Sequence, residues 1–242
     1  MKLGMNQTRA GFAWLMGLFG AAIAITMIVS MGSGGTASAQ EDEASLEAPT
    51  GDVGVAVIDE IPDGAVTYAV AGEESQASYS VEEELAGQGD VTAVGTTNAI
   101  VGELVIDAEG SPVAGSRIDI DLRTLQTDET RRDNYLRTNS LESDTYPLAT
   151  FILTGVENWE GSLADGDEVT FDMVGSLTVH GVTREVTWES TASLADDILT
   201  GTASVEVEMG DFDIETPSVG FVLGIDETVK LDLAITAPVA GE

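Results

Sequence analysis

Downstream of residue 64, apolar and polar positions alternate with a period of two. Ile118, Ile120 and Leu122 alternate with Arg117, Asp119, Asp121 and Arg123. Val169, Phe171, Met173, Leu177 and Val179 alternate with Thr170, Asp172, Ser176 and Thr178. The same rhythm carries Val186, Trp188 and Ala192, then Val205, Val207 and Met209, and finally Val229, Leu231, Leu233 and Ile235. One apolar and one polar face per segment is the mark of half-buried antiparallel strands. Segments at Val66–Val70, Ala77–Leu85, Ile100–Ile106 and Thr150–Val156 follow it less cleanly. With turns at Asp165-Gly166-Asp167 and His180-Gly181, the pattern predicts an all-β domain. A sandwich fits, but the expectation drawn here is an antiparallel β-barrel of about eight strands.

The alternation breaks between Arg131 and Phe151. Here RRDNYLR predicts a short helical turn, and Tyr146-Pro147 ends the irregular stretch before the next strand. Helical spacing places Arg132, Tyr135 and Leu136 on one side, and Asp133 with Arg137 on another as an i, i+4 pair. Glycines recur on the apolar parity of four strands, at Gly102, Gly155, Gly175 and Gly201. Glycine in a strand marks a bend, or a close approach by backbone or ligand. Curvature and interior room are both open readings.

The N-terminus has a different pattern. Lys2 and Arg9 precede an uncharged apolar run from Gly11 to Met31, and Ala37-Ser38-Ala39 fits a small-x-small cleavage site. Residues 1–39 thus read as a signal peptide, or as an uncleaved anchor helix spanning a bilayer through residues 11–31. Either way the basic flank places the remainder outside the cytoplasm. It is secreted or periplasmic if cleaved after Ala39, and otherwise membrane-anchored. Residues 40–63 read as an acidic flexible spacer, in which Val53–Ile58 is a short strand or a sticky linker. The barrel domain is expected over 64–238, with a tail at 239–242.

Charge narrows the choice of partners. All 43 acidic residues lie after Ala39, against seven basic ones, a formal −36 for the exported part. Such a surface repels nucleic acid and anionic membranes and favours solubility. Five arginines, Arg117, Arg123, Arg131, Arg132 and Arg137, share the window 117–137 with Asp119, Asp121, Asp128, Glu129 and Asp133. They either pair with these carboxylates or receive a polar head group at the barrel mouth, with Arg132 the candidate. The chain has no cysteine, which excludes disulfides and thiolate metal sites. His180 is the only histidine, so a two-histidine metal site is excluded as well. No nucleophile elbow, phosphate loop or H-E-x-x-H is present. The expectation is no metal, no cofactor and no enzyme, with a hydrolase built on His180 as a remote alternative.

Three ordered motifs carry a family resemblance. Arg132-Asp133 with Leu136-Arg137, Tyr146-Pro147 with Phe151, and Leu177-Thr178-Val179-His180-Gly181-Val182-Thr183 occur in that order. Together they resemble the YceI-like family of lipid- or polyisoprenoid-binding proteins, over about residues 64 to 238. That resemblance implies a lipocalin-like barrel holding a long apolar ligand of isoprenoid type, as carrier, shuttle or buffer. The expected pocket lining is Leu136, Phe151, Leu153, Phe171, Met173, Leu177, Val186, Trp188 and Val205. The rival is a filled, non-binding barrel acting as an acidic interaction domain.

Overall fold

A computed structural model describes residues 53–163, 168–218 and 222–241. The apolar run 11–31, the cleavage pattern ending at Ala39 and the turn at Asp165-Gly166-Asp167 lie outside the described residues. Among the described residues no helix is long and apolar enough to cross a membrane.

Among the described residues, eleven strands form one antiparallel sheet. They are β1 (Val66–Ala69), β2 (Gln76–Leu85), β3 (Gly89–Thr97), β4 (Ile100–Ile106), β5 (Arg117–Asp121) and β6 (Leu148–Glu157), then β7 (Glu168–Val179), β8 (Val182–Ala195), β9 (Ile198–Glu208), β10 (Val222–Ile225) and β11 (Thr228–Pro238). The helix α1 (Thr130–Tyr135) sits between β5 and β6. Neighbours run β1-β4-β5-β6-β7-β8-β9-β11-β2-β10, with β3 on the free side of β2. All-β and antiparallel are as the alternation predicts; in place of the expected barrel of about eight strands stands a strongly curled sheet of eleven among the described residues.

Gly72 explains where the extra strands go. The segment Gly72–Glu74 interrupts what would be one long first strand and separates β1 from β2. A side chain at Gly72 would meet the backbone oxygens of Ile100 and Asn98 at 2.7 and 2.9 Å, so the kink requires glycine. β11 consequently meets two partners. Its Lys230–Ala234 portion pairs with β2. Beyond that, it touches β1 through the single bridge Tyr68–Val239 and hydrogen bonds from Ala71 N to Thr236 O and Ala240 N to Thr67 O, each 2.9 Å. The β1–β11 junction is therefore a bridge and not a ladder, while β2, β3 and β10 extend the sheet past it.

The inner face carries the core. Ile118, Phe151, Leu177, Trp188 and Leu233 form one buried cluster, and Tyr68, Leu163, Phe171 and Leu199 belong to a second. Curl is sharpened in β6, where the register against β7 slips between Leu153 and Gly155. Gly175 on β7 is open for another reason. A Cβ there would run into the Ile152 carbonyl oxygen and lie 2.5 Å from the Phe151 ring, so this glycine admits both the neighbouring backbone and an aromatic side chain.

The end of the acidic spacer is tied down. Gly54 N donates to Asp119 Oδ2 at 2.5 Å, Ala56 N to Glu103 Oε2 at 2.9 Å and Val57 N to the Gly115 carbonyl at 2.7 Å. Residues 53–58 thus form a strap over the outer faces of β4 and β5, held largely by carboxylates.

Candidate ligand cavity

Residues of β2, β5, β6, β7, β8, β9, β10 and β11 line a cavity of about 370 Å³, and α1 with the turn that follows lies over it. Sequence dictates this cover locally. Glu129 caps α1 by accepting from Arg131 N at 3.1 Å. Tyr135 and Leu136 face the cavity together with Arg132, as helical spacing predicts. The helix then widens into a π-turn over Leu136–Ser140, with Leu141 N donating to Leu136 O at 2.8 Å. Such widened turns recur at functional sites. This one brings Leu136, Ser140 and Leu141 to the cavity wall.

The polar side of α1 holds it in place by means the sequence pattern did not give. Asp133 does not pair with Arg137. It is buried, 8% exposed, and accepts from Thr127 N at 2.8 Å and Thr127 Oγ1 at 2.7 Å. Arg137 instead donates to the Leu125 carbonyl at 3.1 Å. Arg132 bridges Asp128 at 2.6 Å and Glu83 of β2 at 3.2 Å, fastening the helix to the wall beneath it. Burial works against its charge, but the Asp128 hydrogen bond and the Glu83 carboxylate more than compensate, leaving the guanidinium firmly protonated. Arg117 and Arg123 pair with their strand neighbours Asp119 and Asp121, at 2.8 and 2.6 Å.

The expected lining residues divide into three groups. Leu136, Phe151, Leu177 and Trp188 line the main cavity, and Arg132 stands at it. Leu153, Phe171 and Met173 face a second space of about 80 Å³, which Phe151 also lines. Val186 and Val205 pack against the main core cluster and line neither. Phe151, like Ile118 and Leu233, borders both spaces, and it is held edge-to-face against Trp188 at 5.9 Å. Tyr79 and Ser140 also line the main cavity and were missed. Tyr79 could have been found, because it shares the parity of Ala77 and Val81 on β2; Ser140 carries no pattern of its own.

His180 sits in a tight turn with Gly181, at φ of 51° and 73°, the geometry a two-residue hairpin favours. Its Nδ1 donates to the Phe212 carbonyl at 3.2 Å, its Nε2 lies 3.7 Å from Glu142, and its ring meets the edge of Tyr146 at 4.9 Å. It joins two loops and the hairpin, a structural duty. His180→Gln is expected to leave lipid binding within about twofold while costing about 1 kcal/mol of stability. Complete loss of function in a well-folded variant would return the residue to the enzymatic reading. Among the described residues no group of three or more metal-ligating side chains converges.

Comparison with known proteins agrees with this architecture. The profile of the YceI-like domain family matches residues 68–237. Protein YceI of Escherichia coli O6:H1 is 32% identical over 129 residues, which is 50% of this chain and 63% of that protein. A UPF0312 protein of Pseudomonas putida is 30% identical over 129 residues, 50% of this chain and 61% of the relative. The match thus spans less than two thirds of these relatives' length. Among solved structures, BcnA of Burkholderia cenocepacia superposes with a TM-score of 0.54 at 18% identity, covering 69% of this chain and 99% of that one. A polyisoprenoid binding domain from Saccharophagus degradans, implicated in plant cell wall breakdown, gives 0.56 at 16% identity, covering 72% and 99%. At such identities the likeness concerns the fold.

Proposed function

This chain belongs to the YceI-like domain family, and from that premise we propose that it carries a long apolar molecule of polyisoprenoid type in the cavity beneath α1. It is a non-enzymatic, extracytoplasmic protein. Residues 1–39 serve as its export signal or membrane anchor, the part of 40–63 ahead of the strap as a tether and 64–238 as the binding domain. The observation that carries the reading is a cavity walled by apolar side chains from eight strands and covered by a short helix that is fastened at its polar side.

The energetics favour an exchange role. Burying alkyl surface from water is worth about 0.8 kcal/mol per CH₂, so ten carbons give roughly 8 kcal/mol before ordering costs. A lipid already in a bilayer gains little from that term, because its surroundings are equally apolar. Capture from a membrane then rests on shape and head group, and release back to one is easy. Those are the properties of a shuttle or buffer.

The two faces of α1 separate binding from scaffolding. Leu136→Asp places a charge in the cavity wall and is expected to reduce retained lipid by at least about tenfold, with a melting temperature only a few degrees lower. Asp133→Ala removes both bonds to Thr127 and is expected to do the reverse, costing about 1–3 kcal/mol with binding nearly intact. Lipid extracted from the purified variants and quantified by mass spectrometry, beside thermal melts, checks both. Equal loss of the two properties in each variant would make α1 plain scaffolding. Wild-type protein that yields no lipid and takes up none would favour the interaction-domain rival.

A further inference from the structure

Three residues in the wall of this apolar cavity each bury a polar atom with no hydrogen-bond partner among the described residues. The atoms are Tyr79 Oη on β2, Ser140 Oγ on the π-turn and Trp188 Nε1 on β8. Ser140 is 4% exposed and Trp188 2%. Each carries a hydrogen to donate, and each costs about 1–3 kcal/mol while unmet. Trp188 Nε1 donates only, so whatever satisfies it must bring an acceptor. The Tyr79 ring is held in place by its cross-strand partner Gly95, where any side chain would run into the ring. Burial pushes the Tyr79 phenol well above its ordinary range, against the pull of the nearby Arg132 cation, so it stays protonated and able to donate.

The charged groups around the same space point to what kind of acceptor it is. Glu83, Glu129 and Asp232 line the cavity beside Arg131 and Arg132. Arg132 is already shared between Glu83 and Asp128. Asp232 is itself paired with Lys230 at 2.8 Å, so a phosphate or carboxylate head group placed here would meet Arg131 with Glu129 beside it and cations otherwise already committed to carboxylates, in a protein of strongly negative charge. A carbonyl or hydroxyl oxygen carries no such penalty and satisfies the waiting donors.

Resting on the carrier reading, we propose that Tyr79 and Ser140, with Trp188 as a third donor, select a cargo whose head group is uncharged and oxygen-bearing. The head is enclosed with the tail, and phosphorylated isoprenoids are discriminated against. Arg132, the head-group candidate by sequence, acts instead to fasten α1.

Displacement of a fluorescently labelled isoprenoid alcohol from delipidated protein by three probes of one chain length tests this. The probes are geranylgeraniol, geranylgeranyl phosphate and the saturated hydrocarbon phytane. The alcohol is expected to bind at least about tenfold more tightly than the phosphate. Tyr79→Phe combined with Ser140→Ala is expected to weaken the alcohol by about tenfold while shifting phytane by less than about twofold. The melting temperature of the empty double variant is expected to match or exceed wild type, because two unmet hydroxyls are gone. Phosphate binding as tight as the alcohol, or an alcohol-to-phytane ratio unchanged in the double variant, would overturn the proposal and leave the carrier reading standing. Failure of all three probes to bind wild-type protein would bring down the carrier reading, and this proposal with it.

Discussion

Phe151→Ala is expected to join the two chambers and shift the preferred cargo to a longer tail, at a cost of about 3–5 kcal/mol in stability. Phe151 is 5% exposed, lines both cavities with Ile118 and Leu233, and leans its ring into the room that Gly175 leaves open. No neighbouring backbone can collapse into the gap without disturbing the β6–β7 ladder, which pairs Phe151 with Leu177. The melting temperature should fall by about 10 °C for a domain of this size. Binding of isoprenoid alcohols of 20 and 40 carbons, compared in wild type and variant, reads the second effect. The longer one should gain relative to the shorter. A stability loss of the expected size with no change in chain-length preference would mean that Phe151 is core and does not divide the cargo space.

Asp119→Ala is the second large effect, and it acts on the opposite face of the sheet. Asp119 is 1% exposed and accepts from Gly54 N and Thr150 Oγ1, each at 2.5 Å, while Arg117 lies 2.8 Å away. Removing it strands a cation and a backbone donor together. Breaking such a buried pair costs about 3–5 kcal/mol, reduced somewhat because Arg117 keeps some access to water. The strap over β4 and β5 loses its first anchor at the same time, so limited proteolysis should cut within residues 53–63 before it touches the strands. Cargo affinity, set on the inner face, should stay within about twofold. Unchanged protease sensitivity in the variant would show that Ala56 and Val57 hold the strap unaided.

The contrast between these two residues marks how far the sequence could be read. Period two put Asp119 on the face opposite Ile118 and Ile120, and Phe151 with Leu153 in a segment of less clean rhythm, but that the strap buries Asp119 was not legible. Water on one side and core on the other impose that period. β5, β7, β8, β9 and β11 were legible for this reason. β3 was not. Its inward positions are Ala93, Gly95 and Thr97, small because the Tyr79 side chain of β2 covers Gly95, and small residues leave no apolar rhythm. β10 is four residues long with a register shift at Gly224, too short for a period to show.

Within the candidate site, the inward sense of Leu136, Leu177 and Trp188 was available from spacing. So was the neutral arginine window, because Arg117–Asp119 and Arg123–Asp121 are neighbours on their own segments. Arg132–Glu83, 49 residues apart, and Asp133–Thr127 were not, because they depend on where α1 settles against β2. The amino-acid sequence determined the all-β class, the inward face of the longer strands and the absence of thiolate chemistry, since each follows from side chains taken singly or at fixed spacing. The tertiary structure decided the number of strands, the position of Phe151 between two interior spaces and the gathering of Tyr79, Ser140 and Trp188 around one space. Those depend on register and on side chains meeting across the sheet, and a period within one strand contains no information about which residue stands opposite.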